Sequence, residues 1–149
     1  MATPIFHEKQ QFRQWWIWLL LISVSGYSAY QAFITHDSYF GIAICGSLLI
    51  LFLLMRLETN VYTDHINIKF FPFINRSIYW QEIDNMKVRK YSPLGEFGGW
   101  GIRFRRGGIA YNVDGNRGLE LTLQDGKSVM IGTQHPDELK RALPQLQES

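Results

Sequence analysis

The sequence contains a single cysteine and almost no excess of either charge. Its 149 residues carry 15 Lys or Arg and 13 Asp or Glu, which gives a net charge of +2. The lone Cys45 cannot form an internal disulfide, so cysteine content does not indicate a redox compartment. A net charge this small falls short of the strongly basic surface typical of nucleic-acid-binding domains, and we do not expect nucleic acid as a partner.

Sequence signatures of cofactor, metal and catalytic sites are also missing. The Gly-Lys-Ser at 126–128 has Leu121 where a P-loop requires glycine. The glycine-rich stretch 95–101 lacks the dinucleotide-binding spacing and leads into a predicted strand rather than a helix. The four histidines are scattered, with no spacing that brings two of them onto one metal. We therefore expect no catalytic, cofactor-binding or metal-binding residue, no cofactor, and a protein that is not an enzyme.

Two long uncharged runs occupy the first third of the chain. Residues 15–34 hold no charge over 20 positions, and a helix of that length spans about 30 Å, the thickness of a bilayer core. A second uncharged run, 39–55, follows after the short segment 35–38. Together they predict a transmembrane helical hairpin over 15–57.

Two other interpretations of these runs are weaker. Two buried helices of a soluble core should show polar positions at helical period, and almost none occur. A cleaved signal peptide has a candidate small-x-small site at Ser23 and Ser25, but the first run is long for such a peptide and a second run follows it.

Small residues lie on one face of each predicted span. Because lipid gives helices no hydrophobic reason to associate, small residues that allow backbones to approach closely favour packing within the hairpin or with a second copy. The opposite interpretation, simple tolerance of small residues, is equally open. The candidate helix-packing residues are Ser25, Ser28, Ala29, Ala32, Ala43, Gly46 and Ser47.

Basic residues flank the hairpin on one side only. Lys9 and Arg13 precede the first span, Arg56 follows the second, and the segment 35–38 has no Lys or Arg. The positive-inside rule therefore places the N-terminal tail 1–14 and the region 58–149 in the cytoplasm. The expected topology is a multi-pass membrane protein with both termini in the cytoplasm.

From residue 58 the continuous apolar runs give way to apolar residues at every second position. This pattern is typical of half-buried strands. Ile66, Ile68 and Phe70 alternate with polar residues, and similar sets recur to residue 131, which predicts about seven strands. An amphipathic helix at about 136–146 follows. This order predicts an α+β membrane protein whose 58–149 domain is a mainly antiparallel, pleckstrin-homology-like (PH-like) barrel with a C-terminal helix. A lipocalin-like barrel and a plain sandwich are alternatives.

Four stretches after the hairpin carry a family resemblance: "FFPFINRSIYWQEI", "RKYSPLGEFGGWGIR", "AYNVDGNRGLELTLQDGK" and "IGTQHPDEL". With the two N-terminal spans, they resemble a family of uncharacterised bacterial membrane proteins that carry a PH-like domain. The resemblance implies a bacterial inner-membrane protein with that fold. It implies no catalytic residue and no particular ligand.

A local cluster of basic residues is the candidate binding site for anionic lipid headgroups or an acidic partner. Between residues 87 and 106 there is one acid, Glu96. Two adjacent predicted strands could present Lys87 and Arg89 on the same outward face as Arg103 and Arg105. An alternative is a solvated face whose cations pair with Glu82, Glu120 or Asp125. The glycines of 95–101 are expected to serve backbone geometry around Trp100. The six basic residues are Lys87, Arg89, Lys90, Arg103, Arg105 and Arg106.

Two function classes follow from these features. The first is a non-enzymatic, membrane-anchored interaction module that assembles with a protein partner, with itself or with anionic lipid. The second is an accessory subunit of a membrane enzyme or transporter, docked through its hairpin.

Overall fold

The computed structural model describes residues 3–36 and 39–143, which form two compact units. The helical unit is Phe12–Met55, and the β unit combines Met1–Gln11 with Arg56–Ser149. The helical unit is thus inserted into the sequence of the β unit. The expected division is a separate tail, 1–14, and a β domain that begins at residue 58. In the structure the tail supplies a strand to the β unit, which resumes at Arg56.

The helical unit contains two apolar helices, α1 (Trp15–Thr35) and α2 (Phe40–Leu54). The rings of Phe12 and Phe52 meet edge to face at 5.5 Å, which brings the start of the unit close to its end, so the helices run antiparallel. The bounds of both helices agree with those of the two uncharged runs to within about one residue. Of the predicted connecting segment 35–38, residues 37 and 38 lie outside the described residues.

Most apolar side chains of both helices are exposed. Ala32 is the one buried residue in α1, and α2 has none. Among the described residues, α1 has the length and composition needed to cross a membrane, whereas α2, with 15 residues, is apolar but shorter. The exposure is unlike that of core helices, which bury their apolar side chains.

The first sheet of the β unit has four strands in the order β1-β2-β3-β4, all antiparallel. One face is buried and includes the row Phe6, Val61, Ile66 and Ile78. The opposite face is polar and includes the row His7, Asn60, Asn67 and Ser77. The strands are β1 (Phe6–Gln11), β2 (Arg56–Val61), β3 (His65–Phe71) and β4 (Ile74–Tyr79).

The second sheet has five strands in the order β5-β8-β9-β7-β6. The β7–β9 pair is parallel and the other pairs are antiparallel. Its inner face includes the apolar row Val88, Leu119, Ile131, Tyr111 and Ile102. The strands are β5 (Ile83–Lys90), β6 (Gly101–Arg105), β7 (Gly108–Asn112), β8 (Arg117–Leu123) and β9 (Ser128–Gly132).

Two short helices complete the β unit. Helix α3 (Pro93–Phe97) connects β5 to β6, and α4 (Pro136–Ala142) follows β9. Leu139 and Leu143 are fully buried, and α4 contacts β1 of one sheet and β8 of the other. The predicted helix at about 136–146 is therefore present as far as residue 142, while residues 144–146 lie outside the described residues.

Strand β1 is bonded to the second sheet as well as to β2. The buried Glu8 carboxylate accepts hydrogen bonds from Thr133 Oγ1 at 2.6 Å and from the Gln134 amide at 2.7 Å. The buried Gln10 amide donates to the Gly132 carbonyl at 2.8 Å. Buried polar groups require such partners. The expected tail is thus an integral part of the β unit.

The α+β class and mainly antiparallel pairing are confirmed, but the strand count is not. The described residues contain nine strands in two sheets rather than about seven. The two additional strands are β1, which lies before the helices, and β7, which has no clear hydrophobic alternation.

Candidate binding surface

Four of the six predicted basic residues lie along the two edges of one face of the five-stranded sheet. Lys87 and Arg89 are on β5, and Arg103 and Arg105 are on β6. Of the other two, Lys90 alternates to the opposite side of the strand from Arg89, and Arg106 lies in a turn. The expectation of neighbouring strands is wrong, because β8, β9 and β7 separate these two edges. The shared face is nevertheless present. Its register runs Lys87, Glu120, Met130, Ala110 and Arg103.

Helix α3 covers the middle of this outer face. Tyr91, Ala110 and Met130 form a buried cluster with Phe97 of α3 packed against it. The Tyr91 ring lies over a floor without side chains, because a Cβ at Gly118 would meet Tyr91 Cε1 at 3.1 Å and one at Gly132 would meet its hydroxyl at 3.1 Å. This face is therefore apolar at its centre and charged at both edges.

The glycine-rich stretch folds as a capped turn of helix followed by a tight loop. Ser92 caps α3 by accepting the Gly95 amide at 3.0 Å, and Gly98 ends the helix at φ 72°. Gly99 and Gly101 also have positive φ, at 134° and 105°. These positions need glycine because side chains with a Cβ rarely adopt such angles.

An ion-pair network joins the two charged edges through α3. Arg89 donates from both terminal nitrogens to Glu96, at 2.8 and 3.1 Å, and from Nε to Glu120 at 2.8 Å. Lys87 lies 3.3 Å from Glu120, and Arg105 lies 3.7 Å from Glu96. Glu96 thus links β5 at one edge with β6 at the other. A bidentate arginine–carboxylate pair is among the stronger arrangements of this kind.

The network holds its members in their charged forms. Hydrogen bonds to Glu96, and secondarily to Glu120, raise the pKa of Arg89 above its usual range. The hydrogen bond from Arg89 lowers the pKa of Glu96. Burial alone would raise the pKa of Glu120, but the combined bonds and charges of Arg89 and Lys87 lower it. None of these three groups is set to exchange protons near neutral pH.

Tyr91, beside the network, titrates differently. Burial raises the pKa of its hydroxyl, and the neighbouring Asn112 side chain only partly opposes that effect. The phenol therefore stays neutral and serves the packing of the cluster under α3.

The edge at β6 retains uncompensated positive charge. In the described part of the chain, Arg103 and Arg106 at this edge form no ion pair, and Arg103 donates instead to the Trp100 carbonyl at 3.0 Å. Lys90, at the end of β5, also forms none. The six predicted cations with Glu96 and Glu120 leave a local charge of +4. Positive charge of this kind favours an anionic partner.

An exposed aromatic ring lies on the same strand. Phe104 is 79% exposed and lines a groove of about 360 Å³ together with Arg76 and Lys127. Sequence analysis missed these three residues, because Arg76 and Lys127 belong to strands or turns distant in sequence. Because side chains alternate along a strand, Phe104 lies on the opposite side of β6 from Arg103 and Arg105. We refer to Arg103, Arg105 and Arg106 as the β6 surface.

The small residues of the two helices divide into inward and outward sets. Ser28 Oγ lies 3.5 Å from Cys45 Sγ across the helix pair, and Ala32 is buried. Ser25 is half-buried and bonds the Leu21 carbonyl of its own helix, Gly46 is half-buried, and Ala29 is exposed. Ala43 and Ser47 are exposed and line an apolar depression of about 390 Å³ on α2.

No group of three or more His, Cys, Asp or Glu side chains within residues 3–36 and 39–143 is arranged to hold a metal ion. Comparison with protein-family models, with curated proteins and with solved structures finds no match for this chain.

Proposed function

We propose that this protein is a non-enzymatic, membrane-anchored interaction module. In this proposal α1 and α2 span the bacterial inner membrane as a hairpin and hold the β unit at its cytoplasmic surface. The main observation that supports this proposal is the pairing of β1 with β2 across the helical insertion, in which Gln11 and Arg56 are direct partners. A PH-like scaffold for the β unit is supported by its two sheets and C-terminal helix, although the parallel β7–β9 pair departs from a simple antiparallel barrel.

The pairing supports two spans rather than one. A chain that leaves the β unit at Gln11 and rejoins it at Arg56 must cross a membrane an even number of times. Helix α1 has the length for one crossing, and α2 supplies the return. At 15 residues α2 is about 22 Å long, so the return requires local thinning of the bilayer or outward extension of Arg56.

The same pairing argues against the interpretation of α1 as a cleaved signal sequence. Cleavage after α1 would remove β1, and with it the bonds that Glu8 and Gln10 make to the second sheet. Strand β2 would then become an unpaired edge, which folded proteins avoid. Lys9, Arg13 and Arg56 flank the helices on the side of the β unit, which supports a cytoplasmic location.

Labelling of single cysteines tests the anchor. In a Cys45→Ser background, Thr35→Cys and Lys9→Cys are treated with an impermeant maleimide in right-side-out spheroplasts. We expect residue 35 to react before lysis and residue 9 only after it. Reaction of both residues only after lysis would show that α1 does not cross the membrane.

The β6 surface is the proposed binding surface for an anionic partner. Its arginines have fewer acidic neighbours than Arg89 of β5. Basic residues close to an anionic leaflet contribute about 1 kcal/mol each to association. Binding rather than catalysis is favoured because the nearby titratable groups are committed to fixed ion pairs.

Vesicle co-flotation tests this surface. The full chain in neutral nanodiscs is mixed with phosphatidylglycerol or phosphatidylcholine vesicles. We expect flotation with the anionic vesicles alone, and loss of flotation when Arg103 and Arg105 are both changed to glutamate. The matched control, Lys9→Glu with Lys69→Glu, makes the same change in charge on the outer face of the other sheet and should leave flotation intact.

The outcomes of this assay separate lipid from protein partners. Absence of flotation with either vesicle would direct the search to an acidic protein. Equal loss in the two double variants would show that total charge, rather than the β6 surface, governs binding.

A second candidate function is favoured by the outward depression on α2. Ala43 and Ser47 are exposed there, so a helix of another membrane protein could approach closely, as in an accessory subunit of an enzyme or transporter. Replacing the hairpin with an unrelated one distinguishes the two candidates. Loss of a partner would favour docking through the helices, whereas retention would favour the β unit.

A further inference from the structure

One end of the four-stranded sheet brings together the two connections to the helices and an aromatic turn. Strand β1 ends at Gln11, β2 begins at Arg56 and β3 ends at Phe71, and the register places these three residues in one row. Strand β4 begins at Ile74, so the turn of residues 72 and 73 projects from this same end.

This turn exposes an aromatic side chain. The Phe73 amide donates to the Phe70 carbonyl at 2.8 Å, which closes the turn tightly, and the Phe73 side chain is 56% exposed. Next to it, the Arg56 guanidinium lies 4.8 Å from the centre of the Phe71 ring. Exposure of a phenylalanine ring to water at the tip of a turn is energetically unfavourable. An arginine next to aromatic rings is suited to a membrane–water interface, because its apolar stem and charged end can face different environments.

The connections are too short to let this end of the sheet move far from the helices. Residues 12–14 separate β1 from α1, and Met55 alone separates α2 from β2. Three extended residues reach about 10 Å at most. Where the hairpin spans a bilayer, the end of the sheet that carries Phe73 is therefore tethered within about 10 Å of the interface.

We propose that the β3–β4 turn inserts Phe73 into the headgroup region of the bilayer, as a third membrane contact that fixes the orientation of the β unit. The inference rests on the proposed membrane anchor. It commits to lipid as the occupant because the turn is continuous, through Gln11 and Arg56, with the connections to the membrane-spanning helices. A second copy of the chain covering Phe73 is an outcome of the test.

Lipid quenching of a site-specific dye tests this contact. In a Cys45→Ser background, the full chain carries one cysteine at a time, Phe73→Cys, Thr63→Cys or Val24→Cys, labelled with an environment-sensitive dye. Thr63 is the matched control, because it lies in the exposed turn at the opposite end of β3, about 20 Å away. Val24 is exposed in the middle of α1 and reports on the anchor itself.

The proteins are reconstituted into phosphatidylcholine vesicles that contain lipids with nitroxide at the headgroup or deep in the acyl chain. We expect residue 24 to be quenched by the deep nitroxide, residue 73 by the headgroup nitroxide, and residue 63 by neither. The quenching of residue 73 should exceed that of residue 63 at least threefold.

Three other outcomes overturn the inference in distinguishable ways. Deep quenching at residue 24 with equal, weak quenching at residues 73 and 63 would support the membrane anchor but contradict the contact of the turn with lipid. A blue-shifted but unquenched dye at residue 73 shows that a second copy covers it instead. Absence of quenching at residue 24 removes the anchor, and the turn contact with it.

Discussion

Gln11 and Arg56 are direct partners in the β1–β2 ladder, although residues 12–55 lie between them in sequence. The helical unit therefore occupies the position that a hairpin turn would have in an uninterrupted sheet. Both of its ends are fixed by strand pairing, so its insertion need not disturb the fold of the β unit. Folded domains accept insertions at turns for this reason.

Replacing residues 12–55 with a short Asn-Gly turn should give a soluble, folded β unit. Such a turn matches the twist of two antiparallel strands, and Gln11 and Arg56 are already paired. We expect a cooperative thermal transition and a monomer by size-exclusion chromatography. A matched chain that begins at residue 58 lacks β1 and part of β2, and it should aggregate. Equal behaviour of the two chains would contradict the role assigned to β1.

Strand β1 escapes sequence analysis because of what it buries. Its inward residues are Phe6, Glu8 and Gln10, so two of three core positions are polar and the alternation of apolar residues is lost. The partners that satisfy Glu8 lie at Thr133 and Gln134, which no local pattern connects to it. The other missed strand, β7, lies between β9 and β6, and its parallel pairing requires a long connection that a sequence does not display.

The candidate site was predictable in composition but not in geometry. The sequence places six cations close together and names Glu120 as one partner for them. It does not show that β5 and β6 lie at opposite edges, since strand order depends on long-range pairing. Glu96 links both edges because it lies on α3, the five-residue helix over the sheet. This helix is capped by Ser92 at its start and by Gly98 at its end.

Replacing Arg89 with methionine should destabilise the β unit. The substitution keeps much of the side-chain volume but leaves Glu96 and Glu120 without their main donor. Hydrogen bonds to charged groups contribute about 1.5–3 kcal/mol, and we expect a loss in the lower part of that range because Arg89 is partly exposed. Chemical denaturation of the protein in detergent measures the change. Lys87→Met, which removes a more exposed cation from the same network, should cost less than about 0.5 kcal/mol.

The same network should make the stability of the β unit depend on acid. The folded protein lowers the pKa of both Glu96 and Glu120. Their contribution is therefore fully present above the unfolded value, about 4.3, and is lost as the pH falls through the lower folded values. Urea midpoints between pH 7 and pH 3 measure this dependence. The double variant Glu96→Gln, Glu120→Gln should be less stable at pH 7 and lose less stability on acidification, and parallel curves for the two proteins would be incompatible with this assignment.

Replacing Glu8 with alanine should weaken the attachment of β1 to the second sheet. The change removes the acceptor for Thr133 Oγ1 and the Gln134 amide, and buried donors left without partners cost about 1–3 kcal/mol. Hydrogen exchange at Gln134 should accelerate together with a fall in the thermal midpoint. Lys9→Ala, on the exposed face of the same strand, controls for a change in charge and should leave both measurements unchanged. Unaltered exchange in Glu8→Ala would show that these bonds do not hold the strand in place.

Gly118 is required by the close approach of Tyr91 and of the neighbouring strand. A Cβ at this position would lie 2.7 Å from the Ile131 carbonyl oxygen, 2.9 Å from Met130 Sδ and 3.1 Å from Tyr91 Cε1. The methionine sulfur can move, but the backbone carbonyl belongs to the β8–β9 ladder and cannot move without breaking it. Gly118→Ala should therefore destabilise the β unit by about 1–3 kcal/mol, the usual cost of overpacking. Gly26→Ala adds the same methyl group to α1, where nothing lies within 4 Å, and should leave the thermal midpoint of the β unit unchanged. A tolerated Gly118→Ala would mean that the Tyr91 ring does not rest on this floor, and the covering of the sheet by α3 would then need a different explanation.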